Sequence, residues 1–181
     1  AFTDKRTFQL NSGTSMASPH VAGAAAVMQQ MFPKWTAVEI KTALTSTAVN
    51  GLKKEDSTSA TTPFDIGAGR LDLSRAVKAA ATFDKPSFAQ NPCVINCSFT
   101  RTIRNMTDKE VTWTGSLNFT DANTKGSLNK TSVTLKPYGT AGDSAEFMLT
   151  VDGSMSTYGA WAFGNVLWKS SVAGTPDATM P

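Results

Sequence analysis

The sequence predicts a chain of two unlike parts, a helical segment over residues 1–83 followed by an all-β sandwich over residues 84–181. Three observations predict this. An alanine-rich apolar run extends from Ser15 to Phe32 with helical spacing. Helical patterning stops at the Asp84-Lys85-Pro86 linker. Beyond it, apolar residues fall on period-two spacing in short stretches separated by turn-rich segments, the pattern of a sandwich.

Residues 6–10 are partly alternating and read as a short strand. Residues 15–32 read as a helix on which Val21, Ala22, Ala24, Ala25, Ala26, Val27, Met28 and Met31 cover nearly the whole circumference. A helix apolar all round is normally buried. Pro19 is tolerable only in the first turn, so the start lies between Gly13 and Ser18. Phe32-Pro33 ends this helix. A second starts at Thr36, which has Glu39 three residues on, the spacing of a capping box. Val38, Ile40, Ala43 and Leu44 give it an apolar stripe that fades by Thr47. Residues 50–63 read as an exposed loop, and Phe64–Leu71 as a glycine turn. Asp72 or Ser74 caps a third helix through about Ala80, with Leu73, Ala76, Val77 and Ala80 inward. Strands are expected near 98–105, 110–119, 131–136, 144–151 and 159–168. Phe99, Ile103, Val111, Trp113, Leu117, Phe119, Val133, Leu135, Phe147, Leu149 and Val151 are their inward residues.

Composition narrows the function. Charged residues make up 17% of the chain and hydrophobic ones 40%, with Ser, Thr, Gly and Asn filling the balance, which suits an extracellular β-rich protein. The net charge of +3 is scattered along the chain, so nucleic acid is not the expected partner. No stretch reaches the roughly 18 apolar residues of a membrane span. Residues 1–10 do not have the order of a signal peptide, and no initiator Met is present, which reads as a piece of a longer precursor.

The stretch with chemical potential is Ser12–Gly23, a small-residue turn running into the first helix. A helix start carries free N–H groups and partial positive charge, so a serine there can act as a nucleophile. Gly13-Thr14-Ser15-Met16-Ala17-Ser18-Pro19-His20-Val21-Ala22-Gly23 resembles the serine signature of the subtilisin-like proteases, the subtilases, over all eleven residues. Pro33-Lys34-Trp35-Thr36 with Glu39-Ile40-Lys41 and Leu44 resembles the helix that follows the serine helix in that family. Gly67-Ala68-Gly69-Arg70-Leu71-Asp72 with Ala76-Val77 resembles the segment that closes its catalytic domain. The stretch from Cys97 through Ile103 to Asn105 resembles the fibronectin type III-like sandwich that often follows in secreted subtilases.

The resemblance implies that residues 1–83 are the C-terminal portion of an α/β subtilisin-like catalytic domain and 84–181 an immunoglobulin/fibronectin-like sandwich. It implies that Ser15 is the nucleophile of a secreted serine endopeptidase that cleaves protein or peptide substrates through an acyl-enzyme. The Ser15 N–H would donate to the oxyanion, Gly13 would admit the substrate and Thr14 would support the turn. The family's aspartate, histidine and oxyanion-hole asparagine come from earlier positions. The one histidine here, His20, lies five residues after Ser15, about 140° around a helix, and in the family's motif it is structural. In subtilisin, loss of the histidine costs about 10⁶ in kcat, and loss of one oxyanion donor about 10²–10³. The chain by itself is therefore expected to be inactive. The alternative is a non-catalytic binding or structural module acting through the sandwich.

Other residues read more plainly. Cys93 and Cys97 lack the two further ligands a zinc site needs, and for a secreted protein a small-loop disulfide is expected. No cofactor or metal is expected. Asp65 and Asp72 could form an acid pair, but turn and cap chemistry explains them. Trp113, Trp161, Trp168, Phe119 and Phe163 read as sandwich core rather than a carbohydrate platform. Glycosylation sequons stand at Asn96, Asn105, Asn118 and Asn129, where chance occurrence is common in so Ser- and Thr-rich a chain. The apolar helix is expected to cover itself against the sandwich or a second copy of the chain.

Overall fold

A computed structural model of the chain describes residues 10–181. The strand expected at 6–10 lies outside these apart from its last residue, Leu10, which is exposed and not in a strand. Among the described residues four helices come first: α1 Thr14–Met31, α2 Ala37–Ser46, and single turns α3 Pro63–Ile66 and α4 Leu73–Ala76. Eight strands follow: β1 Ala81–Phe83, β2 Asn96–Asn105, β3 Val111–Phe119, β4 Lys125–Leu128, β5 Ser132–Leu135, β6 Ser144–Asp152, β7 Gly164–Ser170 and β8 Ala178–Met180. They form two four-stranded antiparallel sheets, in the orders β1-β2-β6-β4 and β5-β3-β7-β8.

The sheets close on one apolar core. Ile103, Phe147 and Leu149 of the first sheet meet Val111, Trp113, Leu135, Val166 and Trp168 of the second. Phe147 meets the Trp168 ring edge-on with centroids 5.0 Å apart, a favoured aromatic arrangement. Gly115 makes room for this ring: a Cβ there would lie 3.0 Å from two of its atoms. The period-two residues read from the sequence therefore fill the sandwich or pack against its core, except Phe119, which is half-buried outside that core. Strands β1, β4 and β8 were not expected. β1 and β8 are three residues long and β4 four, too short to show alternation, and β4 falls in the gap between the strands expected at 110–119 and 131–136. The last long strand begins at Gly164, not near 159.

The helices depart further from expectation. The α1 helix is not buried: only Ala24 and Met28 are, while Val21 and Met31 stay about half exposed. It packs on α2 rather than on the sandwich. In α2 the capping box forms as expected. Thr36 N donates to Glu39 Oε2 at 2.7 Å, and Glu39 N donates to Thr36 Oγ1 at 3.2 Å. Val38 is exposed, so Ile40, Ala43 and Leu44 make the buried stripe without it. The third helix is a single turn that stops at Ala76, because the chain must extend by Ala81 to pair with β2. Asp72, not Ser74, caps it, accepting from Arg75 N at 3.2 Å.

The helices and the sandwich share a seam. Met106, in the turn after β2, joins Ala24, Met28, Trp35, Ile40, Ala43, Leu44, Ala76 and Ala79 in a second core. Phe83 N of β1 donates to Thr42 Oγ1 of α2 at 3.1 Å. Gly69 holds the preceding turn tight, with φ +124° and a notional Cβ only 2.5 Å from the Val49 carbonyl, so a side chain is excluded.

Two outcomes follow for stability. Phe147→Ala removes a fully buried ring and is expected to cost about 3–5 kcal/mol. The check is a lower urea midpoint at unchanged slope. The exposed turn carboxylates give an acid limb. The Ser59 hydroxyl, with the Ser59 and Thr58 backbones, holds Asp56 down to about 2 from its ordinary 3.8. Bonds from Thr62 lower Asp65, and the Ser74 hydroxyl lowers Asp72. Depressed values stabilise the fold above the ordinary value and lose that effect as pH falls toward the folded ones. The urea midpoint should therefore be level for these groups above about pH 5 and fall below about pH 4.

Candidate functional site

Gly13 opens α1 with φ 144° and ψ 169°, a left-handed value that disfavours a side chain. Its carbonyl accepts from Met16 N at 3.0 Å and Ala17 N at 3.1 Å, which closes the first turn. Ser15 is thus the second residue of the helix, where a backbone N–H has no carbonyl one turn back to donate to. The side chain is exposed at the positive end of the helix dipole. Pro19 sits four residues on, inside the helix. It has no N–H for the Ser15 carbonyl, so the turn bearing Ser15 is released from one helical bond. A serine with an open hydroxyl face and an adjacent free N–H is an arrangement that can hold an oxyanion.

No base accompanies it in the described residues. The ring of His20 is turned along its own helix, where Nδ1 donates to the Met16 carbonyl at 2.6 Å. That carbonyl can only accept, so the bond fixes the proton on Nδ1. Ser15 and His20 are on different faces of α1, and the structure does not bring them together as nucleophile and base.

The other sequence candidates separate cleanly. Asp65 Oδ2 accepts from Thr62 N and Oγ1, both at 2.8 Å, and Asp72 Oδ1 accepts from Ser74 Oγ at 2.6 Å, so each caps its own turn. Cys93 and Cys97 are disulfide-bonded to each other. Trp113 and Trp168 are interior, but Trp161 is not core: it is 54% exposed and meets the exposed Phe64 edge-on at 4.9 Å. Phe119 and Phe163 are half-buried. Of the sequons, Asn96, Asn118 and Asn129 are exposed. Asn105 is fully buried, its Nδ2 donating to the Lys109 and Lys136 carbonyls at 2.7 and 2.9 Å. No group of three or more His, Cys, Asp or Glu able to hold a metal occurs among the described residues. No helix there is long and apolar enough to cross a membrane.

Sequence reasoning missed one cluster at the seam. Glu39, buried at 6% exposure, accepts from Arg104 Nη1 of β2 at 3.1 Å, and Arg104 Nε lies 3.6 Å from Asp143. The spacing that marks Glu39 as a cap residue is visible in sequence. Its partner 65 positions away is not.

With this geometry described, the likeness to known proteins is informative. Residues 2–69 match the model of the subtilase family. The chain is 40% identical over 81 residues to subtilisin-like protease SBT3 of Solanum lycopersicum, covering 41% of this chain and 11% of that protein. It is 30% identical over 158 residues to subtilisin-like protease SBT1.5 of Arabidopsis thaliana, covering 82% and 20%. It is 42% identical over 78 residues to the minor extracellular protease Vpr of Bacillus subtilis, covering 42% and 9%. The chain thus spans about a tenth to a fifth of the length of these relatives. Residues 2–69, with the turn that presents Ser15, belong to the subtilase family.

Proposed function

We propose that this chain is the C-terminal part of a secreted subtilisin-like serine endopeptidase, with Ser15 as its nucleophile. Residues 1–83 are read as the end of the catalytic domain and 84–181 as a fibronectin type III-like sandwich, with β1 the strand the two parts share. The observation that carries the reading is the eleven-residue match at Gly13–Gly23, set on a helix start that leaves the Ser15 N–H without a helical acceptor. The name of the Bacillus relative supports an extracellular setting.

In this reading Ser15 Oγ attacks the carbonyl carbon of a peptide bond. Its proton passes to a histidine supplied from outside this chain and then to the leaving amine. The carbonyl oxygen becomes an oxyanion held by the Ser15 N–H and by an asparagine, also from outside this chain. Water then hydrolyses the acyl-enzyme. His20 takes no part, since its ring does not share a face of α1 with Ser15. The chain alone therefore lacks the base, and it binds its substrate only with the rest of the catalytic domain present.

The second reading, a non-catalytic module acting through the sandwich, is favoured by the same missing base. A fluorophosphonate probe separates them. The isolated chain should leave Ser15 unlabelled over hours. A longer protein that includes the preceding aspartate and histidine should label at Ser15, and Ser15→Ala should abolish the label and lower kcat by about 10⁶. Rapid labelling of the isolated chain would refute its inactivity. A longer protein that never labels would establish the non-catalytic module.

A further inference from the structure

We propose that Arg104 and Glu39 are positioning residues, through which the sandwich sets the pose of α2 and, with it, of the helix that carries Ser15. Arg104 sits on a strand paired on both sides, opposite Thr82 of β1 and Ser144 of β6, so its backbone is fixed by the sheet. Its guanidinium reaches out of the sandwich to Glu39 Oε1 at 3.1 Å, with Asp143 3.6 Å behind it. Glu39 belongs to α2, and its other oxygen is committed to the Thr36 backbone and hydroxyl at 2.7 and 3.0 Å. One carboxylate therefore starts the helix and ties it to β2. A buried carboxylate that loses its cation is costly, so the tie resists displacement.

A second pin makes the tie directional. Phe83 N of β1 holds Thr42 Oγ1, close to one turn beyond Glu39. Two points on one helix, held by two adjacent strands, fix its rotation as well as its position. On its far side α2 carries α1, through a shared core in which Ala24 and Met28 meet Ile40, Ala43 and Leu44. Among the described elements α1 packs chiefly on α2, and the sandwich's other reach toward it is at the α1–α2 connection, where Tyr138 Oη donates to the Lys34 carbonyl at 3.4 Å. The functional meaning rests on Ser15 being the nucleophile, whereas the mechanical coupling does not.

The experiment is site-resolved amide exchange on the chain. Glu39→Gln keeps an acceptor for the cap but removes the charge that Arg104 answers. Arg104→Gln removes the cation. Each is expected to raise exchange by about tenfold or more across α2 and the second half of α1. Exchange in β3 and β7, across the sandwich, should stay unchanged. Arg104→Lys should recover part of the protection, and the double variant should exceed either single one by far less than their product. If Arg104→Gln fails to fold, Thr42→Val, which removes the other pin, should give the same pattern in weaker form. Unchanged exchange in α1 and α2 would overturn the proposal, as would an equal rise in β3 and β7 or independent effects of the two substitutions. Failure of Ser15 as nucleophile would instead show in probe labelling and leave these exchange patterns as they are.

Discussion

A carboxylate removed from water has to be compensated by its neighbours, and Glu39 is compensated from two distant parts of the chain. Thr36 supplies the near side and Arg104 the far side. Arg104 is free to do this because the strand beneath it is paired along both edges. Thr42 and Phe83 repeat the contact between the same parts, with neutral partners. The apolar residues at the seam, Met106 among them, then close around polar groups that are already paired. Without these contacts the helices would have only a small core of their own, and the sandwich would carry nothing.

The seam also accounts for how unevenly the helical part is covered. The α2 helix lies between two neighbours and buries Ile40, Ala43 and Leu44. The α1 helix has a neighbour along one stripe only and leaves Val21, Val27 and Met31 in solvent. Its residues are nevertheless chosen for burial on every side. Sequence and surroundings disagree at α1 while they agree along most of the sandwich's strands.

What could be read from the sequence divides along the same line. Local rules worked where the cause was local. The Thr36–Glu39 box, the Phe32–Pro33 stop, and the alternation from Phe99 to Val151 all act through neighbours a few residues away. The serine turn was legible for the same reason, since Gly13, Ser15 and Pro19 lie within one short segment. Distant pairing was not legible. Nothing near Ala81 marks it as a strand, because its reason to extend is Asn105 on β2. Arg104 looks like any strand cation until Glu39 arrives against it. Trp161 was grouped with Trp113 and Trp168 because the three look alike in sequence. The interior had room for only two of them, and Gly115 made part of that room.

The position of β1 bears on where this chain can be divided. Ala81–Phe83 is contributed by the helical side of the linker yet completes the edge of a sheet. A cut at the linker would leave β2 with a row of unanswered backbone N–H and C=O groups, open to a strand from any other molecule. Thr42 and Phe83 stay on the same side of that cut, whereas Arg104 loses Glu39 wherever the helices are removed. The natural seam for excision is therefore ahead of β1 rather than at Asp84-Lys85-Pro86, and proline at the linker marks a bend in the path, not the limit of a unit.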